Sequence, residues 1–205
     1  MVSHETLLAF MAHADDSELW AGGTLAAHAR AGGRTIVAVP RGDPTRDDEA
    51  KAGAKLLGAD CELIDDLAAH TVAALLDRLR PEAVVTHSPE DIHPAHRAAA
   101  AALLTALPEV VIANGRPTRV YHCDGYNGLD MNGRPFELPV VVDVSATWDL
   151  KRQATAAHTS QPIASHFWPM VETLGRLHGM RIGAAYAEAF RPLPVLGRLP
   201  AAAHL

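Results

Sequence analysis

The chain has 205 residues, 48% of them hydrophobic and 20% charged, with a formal net charge of −6. That length suits one sizeable domain with a full core, and the acidic balance leaves no basic footprint for nucleic acid. No apolar run reaches the ~18 residues of a membrane helix, and the start of the chain carries His4 and Glu5 without a basic leader, so the expectation is a cytoplasmic protein with neither membrane nor nucleic-acid partners.

Short apolar runs alternate with alanine-rich helical patterns through the first half. Strands are predicted near residues 7–12, 35–39, 61–64 and 83–86, with helices near 18–31, 47–57 and 71–79 between them. Gly32-Gly33 and Gly58 fall where helix C-caps belong, and Pro81 stops the third helix. A further helix runs from about 95 to 106. Two turn regions follow, around Asn114-Gly115-Arg116-Pro117 and from Asn127-Gly128 to Asn132-Gly133-Arg134-Pro135. Between and after them, 120–122 and 140–144 read as strands, 147–157 as a helix and 167–189 as helical. Pro192, Pro194 and Pro200 make an irregular end from about residue 191. The expectation is one Rossmann-like α/β domain over 1–205, its mostly parallel sheet flanked by helices on both faces.

Cys61 and Cys123 lie far apart and outside any Cys-x-x-Cys pair, which argues against a disulfide framework. His13, Asp15 and Asp16 stand directly after the first apolar run, in Ala12-His13-Ala14-Asp15-Asp16-Ser17-Glu18. Strand, acidic turn and then helix put this cluster at the carboxyl end of a sheet strand, where open α/β sheets bind ligands. A second cluster, Asp91-Ile92-His93-Pro94-Ala95-His96, follows strand 83–86 and opens a helix. Two parallel strands then deliver His13 and Asp16 from one side and His96 from the other. Two imidazoles and one carboxylate match a catalytic zinc site with one position left for water. Iron(II) and cobalt suit the same ligands. Asp15 is placed to take a proton from water, and His93 to stabilise an oxyanion or protonate a leaving nitrogen.

Three further residues are candidate substrate contacts. Arg46 reads either as an ion-pair partner of Asp47 or Glu49, or as a fork for a substrate hydroxyl, carboxylate or phosphate. Tyr126, in Asp124-Gly125-Tyr126-Asn127-Gly128, sits in either a surface loop or a recognition lid. His158 reads as a helix C-cap or as a pocket-lining group. Trp20 is most simply core or a protein contact, and Cys123 reads as a small buried residue rather than a metal ligand.

The first cluster, with Glu18-Leu19 and Gly22-Gly23-Thr24-Leu25, resembles the signature of the LmbE-like (PIG-L) zinc-dependent N-deacetylases. Their second motif, His-Pro-Asp-His, is matched by His93-Pro94-Ala95-His96. Arg46-x-x-Glu49 before Leu57-Gly58 is similar to the family's arginine helix. Asp143, Lys151, Ala157-His158-Thr159-Ser160-Gln161 and Tyr186-Ala187-Glu188-Ala189-Phe190 resemble its later blocks. The resemblance runs from about residue 7 to 190. It implies a Rossmann-like fold and hydrolysis of an N-acetyl group, often on an amino-sugar conjugate. It also implies zinc on His13, Asp16 and His96, Asp15 as base, His93 as electrostatic catalyst and Arg46 against substrate.

Ala14 stands in place of the usual proline, Ser17 where an acidic residue is common, and Ala95 in place of the second motif's aspartate. That aspartate supports a histidine in the family, a role left here to Asp91 or a later residue. The runner-up activity is hydrolysis of another amide or a carbamoyl group. A zinc-holding binding protein is the rival from another class. A nucleotide-binding domain is disfavoured because no Gly-x-Gly-x-x-Gly follows the first strand. Homo-oligomerisation stays open.

Overall fold

Residues 5–200 are described by the computed structural model, so His4 lies outside the described residues. The chain runs β1 (Thr6–Phe10), α1 (Asp16–Arg30), β2 (Arg34–Pro40), α2 (Pro44–Leu56), β3 (Asp60–Ile64), α3 (Ala69–Leu79), β4 (Ala83–Thr86), α4 (Pro94–Asn114) and β5 (Arg119–Cys123). It then continues through a 3-10 turn at Tyr126–Gly128, β6 (Val140–Asp143), α5 (Trp148–Ala156), α6 (Ile163–His166), α7 (Trp168–Ile182) and β7 (Ala187–Leu193).

The strands form one mixed sheet in the order β3-β2-β1-β4-β5-β7-β6. Strands β1 to β5 pair in parallel, while β7 lies antiparallel between β5 and β6. The strand order reverses between β1 and β4. The crevice beyond their carboxyl ends is the switch point where ligands bind in such sheets.

Successive side chains of a strand face opposite sides, and both sides of the central strands are covered. Leu7, Ala9 and Met11 pack with Leu19, Trp20, Ala50, Trp148 and Val171 of α1, α2, α5 and α7. Leu8, Phe10 and Ala12 pack with Val72, Leu75, Ala99 and Leu103 of α3 and α4. This is why the strands read as unbroken apolar runs. Helix α4 reaches the length and mean hydropathy of a membrane span, which a search for uninterrupted apolar runs does not flag. Its Ala99, Leu103, Ala106, Leu107 and Val110 are buried against the sheet, so it is a core helix here.

The sequence reading differs from the structure mainly in the second half. Gly183, at φ 74°, caps α7 in the left-handed region, a conformation that costs glycine little. The segment 187–189, expected to be helical, is instead the start of β7, and this strand continues through Pro192 to Leu193. Ala187 and Ala189 look like helix formers, but their pairing with β6, continued by the pairing of Phe190 to Leu193 with β5, overrides that preference.

A buried ion pair ties β7 back to α1. Lys151 Nζ lies 2.6 Å from Glu188 Oε1, with both side chains almost wholly buried. Lys151 also donates to the Leu19 carbonyl at 2.8 Å. Glu188 accepts the backbone N–H groups of Gly23 and Thr24 at 2.9 and 2.8 Å. The absence of side chains at Gly22 and Gly23 makes room for this. A Cβ on Gly23 would come within 2.6 Å of Val144 Cβ, and one on Gly22 within 3.2 Å of Lys151 Cγ.

Removing one partner of a buried pair leaves the other charge unpaired and typically costs about 3–5 kcal/mol. Lys151→Ala is therefore expected to lower unfolding free energy by that order in urea titration. A loss within experimental error would show that the pair does not hold α1 in place.

Candidate metal centre and active site

Asp16 opens α1, where the positive end of the helix dipole favours a carboxylate. Its side chain is buried, and three histidines from two chain segments converge on it. His13 Nδ1 and His87 Nε2 lie 3.0 and 3.1 Å from Oδ2. His96 Nε2 lies 3.3 Å from Oδ1, and the His13 backbone N–H donates to Oδ2 at 2.8 Å. The His87 and His96 rings stack 3.8 Å apart. His13 and His93 meet edge to face at 4.8 Å, and His93 lies 4.7 Å from His96. The structure thus brings together His13, Asp16, His93 and His96 of the two sequence clusters.

Two triads have ligand atoms within 4.8 Å of one another: His13, His93 and His96, and Asp16, His87 and His96. The donor set suits a divalent metal. His96 is fully buried, yet neither ring nitrogen has a hydrogen bond among the described residues. A desolvated imidazole without a partner is costly unless its lone pair is used, and its Nε2 faces the Asp16 carboxylate. The residues therefore fit a metal ion.

His87 is absent from the sequence-derived candidates. Its signal is positional: it directly follows the last residue of β4, as the first cluster follows β1. Its ring accepts the Ala12 backbone N–H at 3.2 Å, which joins the ends of the two adjacent strands.

Electrostatics follow from this crowding. Burial alone would raise the Asp16 carboxyl, but His87, His13 and His96 hold it well below the usual range. Burial works downward on His96, and its carboxylate neighbours Asp16 and Asp91 overcome it, raising the ring to about 9. Hydrogen bonding to Asp16 raises His13. Burial lowers His87 and His93, with repulsion from His96 adding to both.

Asp15 is the N-cap residue of α1, beside the centre. Burial and the neighbouring Asp16 raise its carboxyl, against the opposing pull of Arg46. Arg46, in the first turn of α2, places Nη2 3.3 Å from Asp15 Oδ2. The ion-pair partner of Arg46 is therefore Asp15 rather than Asp47 or Glu49. The Asp43 side chain accepts the Arg46 backbone N–H at 3.1 Å and starts the helix there.

His93 is the N-cap of α4, and Pro94 supplies a preset first helical φ. Its Nδ1 accepts the Ala95 backbone N–H at 3.2 Å, which assigns the proton of the neutral ring to Nε2. Tyr126 stacks on His96 with centroids 5.7 Å apart and an interplanar angle of 10°. It meets Trp20 edge-on and touches Phe167. Its loop is tied down by Asp124, whose Oδ2 lies 2.7 Å from His178 Nε2, a partner that sequence spacing did not suggest.

His158 is almost wholly buried, its Nε2 3.6 Å from Oε2 of the equally buried Glu18. Gly53 makes room for both, since a Cβ there would lie 2.3 Å from Glu18 Oε1 and 3.0 Å from His158 Nε2. Next to it, Glu49 accepts the Ser160 N–H and hydroxyl, each at 2.6 Å, and so fastens this block to α2. A cavity of about 660 Å³ lies elsewhere, lined by Ser88, Glu90, His122, Arg181 and Arg191 among others, and includes none of the clustered histidines.

Fold and site define an α/β scaffold with a His/Asp cluster at its switch point that could hold a metal. Residues 8–107 match the family model described as PIG-L: GlcNAc-PI de-N-acetylase. Over those residues, just under half of its length, the chain is similar to the PIG-L/LmbE-like family of N-deacetylases.

Among solved structures it is similar to a conserved protein of Thermus thermophilus. The two share 26% identity with a TM-score of 0.82, over 94% of this chain and 96% of that one. The 4-carboxy-2-hydroxymuconate hydratase of Pseudomonas putida has 21% identity and a TM-score of 0.79, over 98% and 99% of the two chains. The N,N'-diacetylchitobiose deacetylase of Pyrococcus horikoshii has 19% identity and a TM-score of 0.77, over 94% of this chain and 85% of that one.

Because His96 is raised from 6.5 to about 9, its proton stabilises the metal-free fold fully below about pH 6.5. That contribution is lost as pH rises through 9. The thermal midpoint of chelator-treated protein is expected to fall between pH 6.5 and 9, with a smaller fall in His96→Asn. A flat or rising midpoint would contradict the caged cation.

Proposed function

We propose that the protein is a zinc-dependent hydrolase that removes the acetyl group from an N-acetylated small molecule, an amino sugar or a related conjugate. The observation that carries this reading is the buried Asp16 centre with His13 and His96, flanked by a carboxylate of raised pKa, Asp15, and a neutral imidazole, His93. The match of residues 8–107 to the PIG-L family model supports the reaction class. The chitobiose deacetylase among the structural neighbours supports the substrate class. His13, Asp16 and His96 would hold the ion. We infer a cytoplasmic setting, where Cys61 and Cys123 stay reduced.

When bound, zinc supplies a Lewis acid that polarises the acyl carbonyl and makes a water easier to ionise. Asp15 accepts a proton as that water attacks the acetyl carbon. Its raised pKa brings it nearer to the working pH, as a general base requires. Arg46 holds the Asp15 carboxylate and presents its remaining donors to a polar group of the substrate. His93 donates from Nε2 to the carbonyl oxygen as negative charge develops there. The C–N bond then breaks, the proton held by Asp15 passes to the departing amine, and acetate and free amine leave. Tyr126 provides a flat wall for the substrate. His158 acts from beneath, through Glu18 and the charge it presents to Asp15.

Purified protein is expected to contain stoichiometric zinc and to release acetate from N-acetyl sugars, and to lose that activity on chelation. Asp15→Asn is expected to keep zinc and lose about 10²-fold or more in kcat. Full activity in Asp15→Asn would overturn the base assignment. Release of formate or carbamate products, but no acetate, would move the reading to another amide or a carbamoyl group. Zinc without turnover would make the protein a binder, and hydration of an unsaturated acid without acetate release would align it with the hydratase that shares its fold.

A further inference from the structure

We propose that Asp91 is the positioning residue for His96, fixing the ring so that Nε2 presents its lone pair to the metal. This rests on the reading of His13, Asp16 and His96 as the metal centre. Asp91 Oδ2 lies 3.1 Å from His96 Nδ1, and both side chains are buried to within 1%. The contact is at ion-pairing distance without the straight line of a hydrogen bond, since neither atom has a hydrogen bond among the described residues.

The other oxygen, Oδ1, accepts the His93 backbone N–H at 2.7 Å. One carboxylate therefore sets both the start of α4 and the ring that α4 carries one turn later. Arg97 steadies the segment by donating to the Asp91 and Ile92 carbonyls at 2.7 and 2.9 Å.

Histidines that ligate metals usually give their second ring N–H to a carboxylate or carbonyl, which fixes the tautomer and raises ligand basicity. Here Asp91 is in that position, while residue 95, the second-motif position where the family has an aspartate, carries only a methyl group. The backbone around Asp91 is shaped for it. A Cβ on Gly125 would lie 3.0 Å from Asp91 Oδ2 and 3.0 Å from Phe136 Cε2, so only glycine leaves the carboxylate undisturbed.

The test measures zinc affinity by competition with a chelator, and the visible spectrum of the cobalt(II)-loaded protein, neither of which needs a substrate. Asp91→Ala is expected to weaken zinc binding by about 10–100-fold and to shift the cobalt spectrum. Gly125→Ala is expected to do the same more mildly, because it displaces Oδ2 while leaving the Oδ1 contact to His93. If Asp91→Ala does not fold, Asp91→Asn and Gly125→Ala decide the matter. Wild-type affinity and spectrum in the folded variants would overturn the role of Asp91 alone. A wild-type protein that binds no zinc would instead overturn the metal-centre reading on which it rests.

Discussion

The site depends on a single buried carboxylate. Asp16 is out of water and would be costly to ionise alone. It stays charged because His13 arrives from the turn after β1, His87 from the end of β4, and His96 from the first turn of α4. That convergence requires β1 and β4 to be adjacent, parallel and level, with Leu7, Leu8 and Ala9 opposite Ala83, Val84 and Val85. The topological switch is therefore the geometric condition for the chemistry. Asp16 and Asp91 in turn raise His96 to about 9, so under the proposed function a metal on this ring would compete with a proton and displace it.

The helix that begins with Asp16 is held in place from the far end of the chain. Glu188 takes the N–H groups of Gly23 and Thr24, and Lys151 takes the carbonyl of Leu19. Leu19 O and Gly23 N are one helical turn apart, so each is given a charged partner from outside the helix. Thr147 adds a hydroxyl to the Gly23 carbonyl at 2.8 Å. The Gly22-Gly23 step exists so that α5 and Val144 can approach this closely. The second half of the chain is in this sense a clamp on the first motif, which explains why functional-looking blocks extend well past the clustered histidines.

Much of this was legible in the amino-acid order alone. Strands β1, β2 and β4 announced themselves because they are covered on both faces and so carry unbroken apolar runs. The two His/Asp clusters were legible because each sits where such a strand ends. What was hidden arises from contacts distant in sequence. Strand β7 reads as helix because Ala187, Glu188 and Ala189 favour helices, and only its two neighbours make it a strand. The Glu18–His158 pair spans α1 and the residues after α5, and nothing local marks it. His87 obeyed the strand-end rule but lacked a neighbouring motif to draw attention to it.

The alanine at position 95 acquires a consistent physical meaning from these contacts. A carboxylate beside an imidazole accepts its proton and makes the opposite nitrogen more basic. At His93 the partner is instead a backbone N–H, which donates to Nδ1 and leaves the proton on Nε2. Burial and the adjacent histidines also keep this ring neutral. A neutral ring with its proton on Nε2 is a hydrogen-bond donor there rather than a cation, and under the proposed function the proton transfers would fall to Asp15. The carboxylate of the second cluster is Asp91, which lies against the other histidine, His96. The two rings thus have partners of opposite polarity, a backbone N–H at His93 Nδ1 and a carboxylate at His96 Nδ1.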